Sequence, residues 1–409
     1  MHDNDTAGIG DSPATPAMAA PQDMRPGAPQ RLDVRFTGSG SEYFRIWLVN
    51  LLLTIVTLGF YHPFAKARKL AYFHGNTLVG DQPLGFHGDP WKMLRGYLLM
   101  LLFGVVYGVS SRFAPAVAVV AIAAFALLWP ALWRASLQFR LGNTSWRGLR
   151  FGFDGSLGGA YLSMLPAVLP WAAMVGLAVL APQPGAEGGA VAPPGGAFMA
   201  AFFGVFASFF LVMPLALAWV KRYQHGHYVY AGQRSRLDAG VGAFYAYALK
   251  LFGVSLLVML VGGIVMGVTM AVTFASAAAT EGKSAVMAVG MALAGIAFYG
   301  AYFVVVMPYG QSRLQNLVWG RTRSDALQCR SDLHMWPLGW LTLKNLVLCI
   351  LTLGLYWPFA AMATTRLRLQ AMAVELDGDI GQWAATAGGT TQDATGDAAG
   401  DFFGIDLGL

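Results

Sequence analysis

The sequence predicts a polytopic integral membrane protein, all-α within the membrane and built from repeated transmembrane helical hairpins joined by short cytoplasmic β-hairpins. Hydrophobic residues make up 56% of the 409 residues and charged residues only 12%, against about 25% charged residues in ordinary globular domains. The mean hydropathy is +0.52, and similar motifs recur along the chain. So few charges cannot cover a water-exposed surface. The composition therefore excludes a disordered, a nucleic-acid-binding and a disulfide-stapled protein.

Both ends of the chain are polar. Residues 1–34 lack the basic and apolar regions of a signal peptide, so a disordered N-terminal tail is expected. Residues 375–409 carry acidic but no basic side chains and predict a disordered acidic tail. Residues 35–374 remain as the membrane domain.

Six apolar windows approach or exceed the ~20 residues that cross a hydrocarbon core as a helix. They are residues 94–110, 114–133, 160–181, 197–219, 251–276 and 285–307. Two shorter segments, 46–61 and 341–360, each contain Thr-Leu-Gly. We expect these two to be re-entrant or interfacial hairpins bent at Thr-Leu-Gly. The alternative is eight complete spans with both termini outside.

The basic residues indicate the orientation. Of the 27 Lys and Arg residues, 21 lie in five clusters, the last of which follows the final apolar segment, whereas the alternate loops carry only Arg112 and Lys283. By the positive-inside rule, the clusters are cytoplasmic. The net charge of +6 therefore reports topology and phospholipid contact.

A motif recurs at a fixed spacing, which is the signature of an internal repeat. In four places a proline near a helix end is followed twelve residues later by a glycine. A polar residue follows each glycine, and a short alternating segment with a turn comes next, which predicts a β-hairpin. The prolines and glycines are Pro63 and Gly75 (with Asn76), Pro130 and Gly142 (with Asn143), Pro214 and Gly226, and Pro308 and Gly320.

A fifth, degenerate unit begins at Pro358. The sixteen residues that start at Asn345 align without a gap with those that start at Asn50, and both stretches contain Thr-Leu-Gly-x-Tyr-x-Pro-Phe-Ala. Common ancestry of the first and last units is the simplest explanation of this match. Both short apolar segments then have one structure.

The residues Phe36-Thr-Gly-Ser-Gly-Ser-Glu-Tyr-Phe, the segment from Asn50 to Lys69 and Tyr72-Phe-His-Gly-Asn-Thr resemble the bacterial YjgN-like family of inner-membrane proteins. The resemblance extends from about Arg35 to Arg368. Phe64 stands where the family usually has a tryptophan. The resemblance implies a multi-pass protein of the bacterial inner (cytoplasmic) membrane and, because the family's function is unknown, no mechanism.

No catalytic residue, metal ligand or cofactor site is predicted, and we expect a protein that is not an enzyme. The six confident spans contain no Asp or Glu, whereas ion-coupled transporters hold ionisable residues inside the membrane. His62, beside Pro63, is the histidine closest to an apolar segment. No serine, cysteine or carboxylate at helical spacing completes a triad or metal set around it, so a lipid-headgroup or hydrogen-bonding role is favoured.

Two sets of residues are candidate ligand contacts. Asn50 and Asn345 stand at equivalent intramembrane positions, where helix packing is favoured over the lining of a polar cavity. Arg68, Arg134, Arg222 and Arg313 lie near the basic ends of four units. The positive-inside rule alone already accounts for the position of these arginines. A more specific hypothesis is that they converge on one anionic lipid or metabolite.

Two functional hypotheses follow. The first is a permease-like protein that handles a small molecule or lipid in a cleft among the units. The second is a structural or regulatory module that binds anionic lipid or a protein partner through its basic cytoplasmic face. Membrane lipids are the expected partners and nucleic acid is not. The pairs Gly104/Gly108 and Gly263/Gly267 allow a homo-oligomer but are explained equally by packing within the chain.

Overall fold

The computed structural model describes residues 30–181, 195–278 and 283–377. Its helices are α1 Gly40–Val56, α2 His62–Gly75, α3 Pro90–Phe113, α4 Pro115–Gly142, α5 Leu157–Val179, α6 Gly196–His225, α7 Val241–Ala278, α8 Lys283–Ala301, α9 Met307–Trp319, α10 Met335–Leu351 and α11 Trp357–Gln370, with a π-helical segment at Tyr302–Val306. Its strands are β1 Gln30–Phe36, β2 Thr77–Val79, β3 Gln82–Phe86, β4 Thr144–Trp146, β5 Leu149–Phe153, β6 Tyr228–Tyr230, β7 Gln233–Arg234, β8 Arg236–Leu237, β9 Thr322–Arg323, β10 Leu327–Ser331 and β11 Met372–Leu376.

Long apolar helices form three antiparallel pairs: α3 with α4, α5 with α6, and α7 with the continuous stretch from α8 to α9. Asp89 and Ser156 cap α3 and α5 by accepting hydrogen bonds from backbone N–H groups of the first turn. In the described residues, six helical stretches are long and apolar enough to cross a membrane. Each of these six stretches overlaps one of the six apolar windows predicted from the sequence.

The two shorter apolar segments form helix–turn–helix pairs, α1 with α2 and α10 with α11. Leu58 and Gly59 have positive φ, as do Leu353 and Gly354, and the N–H of Gly59 donates to the carbonyl of Thr54 at 2.7 Å. This is a glycine-containing helix C-cap. The chain thus bends at the two Thr-Leu-Gly motifs.

All strands join one antiparallel sheet of eleven strands in the order β7-β6-β5-β4-β3-β2-β1-β11-β10-β9-β8. Its two ends, β7 and β8, are consecutive in the chain and separated by Ser235. Arg234 pairs with Val229 of β6, while Arg236 pairs with Arg323 of β9. The sheet therefore curls into a near-barrel that closes through one bent strand.

The predicted all-α fold with short separate hairpins is wrong. The strands do form hairpins, and Arg147 and Gly148 both have positive φ at one turn, as a type I′ turn requires. However, each hairpin also pairs with the next one, for example Phe86 with Thr144 and Phe153 with Tyr228. An isolated hairpin is marginally stable and leaves unpaired edges, which the ring removes.

Strand β1 makes the ring continuous across the chain ends. Val34 pairs with Val79 of β2, and Leu32 pairs with Val374 of β11. Residues 30–34, which the sequence assigned to a disordered tail, therefore belong to the sheet, as do Glu375 and Leu376. Asp377 follows β11, and its backbone N–H donates to the Ala326 carbonyl at 3.0 Å. The rest of both predicted tails lies outside the described residues.

The recurring motif residues connect the helices to the strands. Asn76 and Asn143 follow the last residues of α2 and α4, and their side-chain amides donate to the carbonyls of Tyr72 and Phe139, each at 2.8 Å. Gly226 and Gly320 cap α6 and α9 in the same place. The five prolines, Pro63, Pro130, Pro214, Pro308 and Pro358, are all buried.

Candidate functional site

Two cavities adjoin beneath the helices, inside the ring of strands. Their volumes are about 490 Å³ and 910 Å³, at the scale of small-molecule sites in proteins. Six residues line both cavities: Leu84, Phe151, Tyr230, Trp319, Leu327 and Cys329. Because these walls are shared, we describe the two cavities together as the central chamber.

Aromatic side chains from the sheet form part of the chamber wall. Trp146 and Tyr230 are buried in a cluster with Leu32 and Leu376, and the Phe151 and Tyr230 rings stack with their centroids 4.5 Å apart. Burial raises the pKa of Tyr230 to about 12, so its hydroxyl stays protonated and can donate. The face of the sheet that lines the chamber is therefore covered by packed apolar side chains.

The smaller cavity carries more polar groups. His74 donates from Nδ1 to the Leu70 carbonyl oxygen at 2.8 Å, and its Nε2 lies 3.5 Å from the Thr144 hydroxyl. Burial, and secondarily the charge of Arg140, lowers the pKa of His74. The imidazole is therefore neutral at pH 7. Arg140, Gln224 and Tyr228 also line this cavity.

The larger cavity extends between the short helices α10 and α11. Asn345 and Thr364 line it, and the Asn345 amide donates to the Thr364 hydroxyl at 3.3 Å. Further along α11, the Arg368 Nε donates to Gln315 Oε1 at 2.9 Å, and Gln315 Nε2 donates to the Arg368 carbonyl at 3.0 Å. This reciprocal pair holds Arg368 at the junction of helices and sheet.

The charges of the chamber have one sign. Among the described residues, its lining contains four cations, Lys69, Arg140, Arg323 and Arg368, and no Asp or Glu. Arg323 is paired with Asp238. The chamber therefore suits a ligand that combines apolar groups with a negative charge. In the described part of the chain, no group of three or more His, Cys, Asp or Glu could hold a metal ion.

The four arginines predicted as ligand contacts lie outside the chamber lining. The Arg134 Nε donates to the Gly155 carbonyl at 2.6 Å. Arg313 stacks on Tyr309, with 5.6 Å between the guanidinium carbon and the ring centroid. Arg68 approaches Asn50, and Arg222 is exposed. Each has a separate local environment, so a shared ligand of these four stays a prediction.

The predicted intramembrane polar residues differ in position. Asn50 donates from Nδ2 to the Ala65 carbonyl at 3.4 Å and so links α1 to α2. Asn345 makes the equivalent contact with Ala360 at 3.4 Å but also lines the larger cavity. His62 begins α2, and its ring centroid lies 5.6 Å from that of Tyr97.

Arg368 is a site residue that the sequence does not single out. In the sequence it counts only among the basic residues that predict the orientation, whereas the structure shows it at the larger cavity. A signal was present, because the alignment of the first and last units places Arg368 opposite Phe73. A charge that replaces a core aromatic residue indicates a changed environment.

Many arginines on the sheet's outer surface are neutralised locally. Arg31 pairs with Asp33 at 3.0 Å and Arg236 with Asp325 at 3.3 Å, and Arg330 pairs with Glu375. Exposed pairs of this kind contribute about 0–1 kcal/mol each to stability. Their effect here is to reduce the net positive charge that the outer surface presents.

The chain is similar to curated inner-membrane proteins. Inner membrane protein YjgN of Salmonella typhimurium (strain LT2) is 30% identical over 159 residues, 38% of this chain and 40% of that protein. The protein of the same name from Escherichia coli (strain K12) is 32% identical over 126 residues, 30% of this chain and 31% of that protein. No solved structure matches the chain.

These alignments cover well under two thirds of the relatives' length. They confirm the resemblance seen in the sequence and, with the six apolar helices, show a multi-pass inner-membrane protein. The family model described as "Bacterial protein of unknown function (DUF898)" matches residues 31–402. The chain therefore belongs to the DUF898 family.

Proposed function

We propose that this membrane protein binds an amphiphilic small molecule or lipid in the central chamber and handles it in a permease-like manner, without chemical conversion. The observation that carries the proposal is a chamber with mainly apolar walls whose charged lining residues, within the described part of the chain, are all cations. An apolar body gains free energy by leaving water. The cations favour a ligand with an anionic group.

The position of the chamber supports access from the membrane. Its larger cavity is lined by α10 and α11, whose turn exposes apolar side chains such as Leu353 and Leu355.

The sheet also bears on the path of the two short helix pairs. Because β1 pairs with both β2 and β11, each short helix pair has its two ends beside the same sheet. We infer that both short pairs are re-entrant, since eight complete spans would put β1 and β2 on opposite sides of the membrane.

A cavity-filling variant tests the proposal. Ala361 lines the larger cavity, so Ala361→Phe should reduce the lipid that co-purifies with the protein, measured by native mass spectrometry. It should also reduce the transfer of a fluorescent anionic lipid between leaflets of proteoliposomes. Ala172→Phe is the matched control, because Ala172 is exposed on α5.

The outcomes separate the hypotheses. If one lipid binds stoichiometrically but no tested solute or lipid moves, the permease-like part fails and a structural or regulatory role gains support. If Ala361→Phe binds and transfers lipid as wild type does, the chamber is not the site.

A further inference from the structure

The two short helix pairs differ in one hydrogen bond at equivalent asparagines. In the first pair, the Asn50 amide donates to the Ala65 carbonyl, and its Oδ1 accepts from Arg68 Nη1 at 3.5 Å. In the last pair, the Asn345 amide makes the corresponding bond to Ala360. The Oδ1 of Asn345, however, has no hydrogen-bond partner among the described residues.

The sequence explains this difference. In the gapless alignment of the two units, Ala363 stands where the first unit has Arg68. Asn345 is 8% exposed, and a buried acceptor without a partner is costly, so most are satisfied by protein or ligand groups. The last helix pair thus keeps the asparagine but lacks the arginine that would donate a hydrogen bond to its Oδ1.

Asn345 lies in a polar region of the larger cavity. Thr342 of α10 and Thr364 of α11 line the cavity beside it. Arg368 follows Thr364 by four residues, which places both on one face of α11 about 5–6 Å apart at their Cβ atoms. Lys69 of α2 lines the same cavity. Asn345 and two cations therefore line one space, and the Oδ1 of Asn345 is enclosed beside it.

Apolar side chains line the cavity beyond this region. Phe303 of the π-helical segment, Leu346 of α10 and Trp357 at the start of α11 are among them. Trp357 adjoins the turn between α10 and α11. The cavity thus passes from cations beside the sheet to an apolar wall beside the turn.

We propose that the larger cavity binds a phosphodiester lipid with a hydroxyl-bearing head group, of the phosphatidylglycerol type. The phosphate contacts Arg368 and Lys69, and the acyl chains follow the apolar wall. The Asn345 side chain turns toward the cavity, so that its Oδ1, which is enclosed in this structure, accepts a hydrogen bond from a head-group hydroxyl. This inference rests on the proposed function and specifies its ligand. A fatty acid carboxylate has no donor for Asn345. An ethanolamine head group would bring an ammonium beside two cations, with no lining carboxylate among the described residues to balance it.

The test compares two lipids of equal charge, one with head-group hydroxyls and one with a methyl head group. Purified full-length protein is titrated with phosphatidylglycerol and with phosphatidylmethanol of the same acyl chains, and binding is measured by native mass spectrometry. Both lipids carry one phosphodiester charge, but phosphatidylmethanol has no hydroxyl. We expect about a tenfold preference for phosphatidylglycerol, because only its hydroxyl satisfies the buried acceptor.

Two variants locate the preference at Asn345. Asn345→Leu removes the acceptor, and Ala363→Arg supplies the arginine that the first unit already has. Both should bind the two lipids equally. Asn50→Leu is the matched control and should keep the preference, because Asn50 does not line the chamber.

Two results would overturn the inference. One is equal binding of both lipids by the wild type, as expected if water satisfies Asn345. The other is a preference for phosphatidylglycerol that survives in Asn345→Leu or in Ala363→Arg, whichever of these variants folds. If Ala361→Phe blocks both lipids but the wild type does not discriminate between them, only the head-group assignment fails. If neither lipid binds in the chamber, the proposed function fails as well.

Discussion

The Tyr230 hydroxyl donates a hydrogen bond at 2.9 Å to the backbone carbonyl of Trp146, 84 residues earlier in the chain. The Trp146 indole donates in turn to the carbonyl of Val79 at 3.3 Å. Three hairpins are thereby connected by side chains as well as by strand pairing. Because β2, β4 and β6 are not neighbours in the sheet, these bonds connect strands that do not pair directly.

The Trp146 contact should be important for stability. Trp146 is 4% exposed, so Trp146→Ala should lower the free energy of unfolding by about 3–5 kcal/mol. Tyr230→Phe should lower it by about 1 kcal/mol, the contribution of one hydrogen bond. Thermal unfolding in detergent measures both effects as a fall in the midpoint. Trp336→Phe is the control, since Trp336 is 79% exposed, and an equal fall there would contradict the prediction.

The pairing of β1 with β11 should be detectable by cross-linking. Arg31 and Glu375 are directly opposed, so Arg31→Cys with Glu375→Cys should form a disulfide under mild oxidation. The native cysteines are replaced by serine, and loss of free thiols reports the bond. In the control, Arg35→Cys replaces Arg31→Cys, because Arg35 pairs with Leu78 of β2. Equal cross-linking of both pairs would argue against the closed ring.

Labelling from each side of the membrane should show that the β2–β3 turn, the β4–β5 turn and the N-terminal strand β1 lie on the cytoplasmic side. The sheet holds Arg31, Asp81 and Gly148 on strands or turns of one structure, and from the basic clusters we expect that structure on the cytoplasmic side. Single cysteines at these positions should react with a membrane-impermeant maleimide only after the cells are opened. Labelling of Arg31→Cys from the periplasm would establish eight complete spans instead.

The native thiol of Cys329 should react slowly at neutral pH. Burial raises its pKa to about 11, so at pH 8 about one thiol in a thousand is the reactive thiolate. In a Cys349→Ser variant, modification by N-ethylmaleimide should accelerate as the pH rises toward 11. Protein unfolded in detergent and urea provides the reference rate. A folded rate at pH 7 equal to that reference would contradict the raised pKa of this thiol.

Part of the candidate site was visible in the sequence. The equivalence of Asn50 and Asn345 followed from a gapless alignment, which made both residues candidates. The alignment does not show that Asn345 lines the chamber and Asn50 does not. The larger cavity is formed beside Asn345 by residues from other segments, such as Phe303 of the π-helical segment and Trp319 of α9. The residues that surround a side chain in the fold come from several segments, so no single segment predicts them.

The sequence by itself determined the membrane environment, the six long apolar helices, the bends at Thr-Leu-Gly and the helix ends at Asn76 and Asn143. Hydropathy, helix length and capping are local properties that neighbouring residues decide. Only the tertiary structure decided that the hairpins form one ring, that β1 completes it, and that a chamber with cations lies inside. Strand pairing between Phe86 and Thr144, or between Leu32 and Val374, joins residues far apart in the chain. Such a register depends on the packing of all the units together.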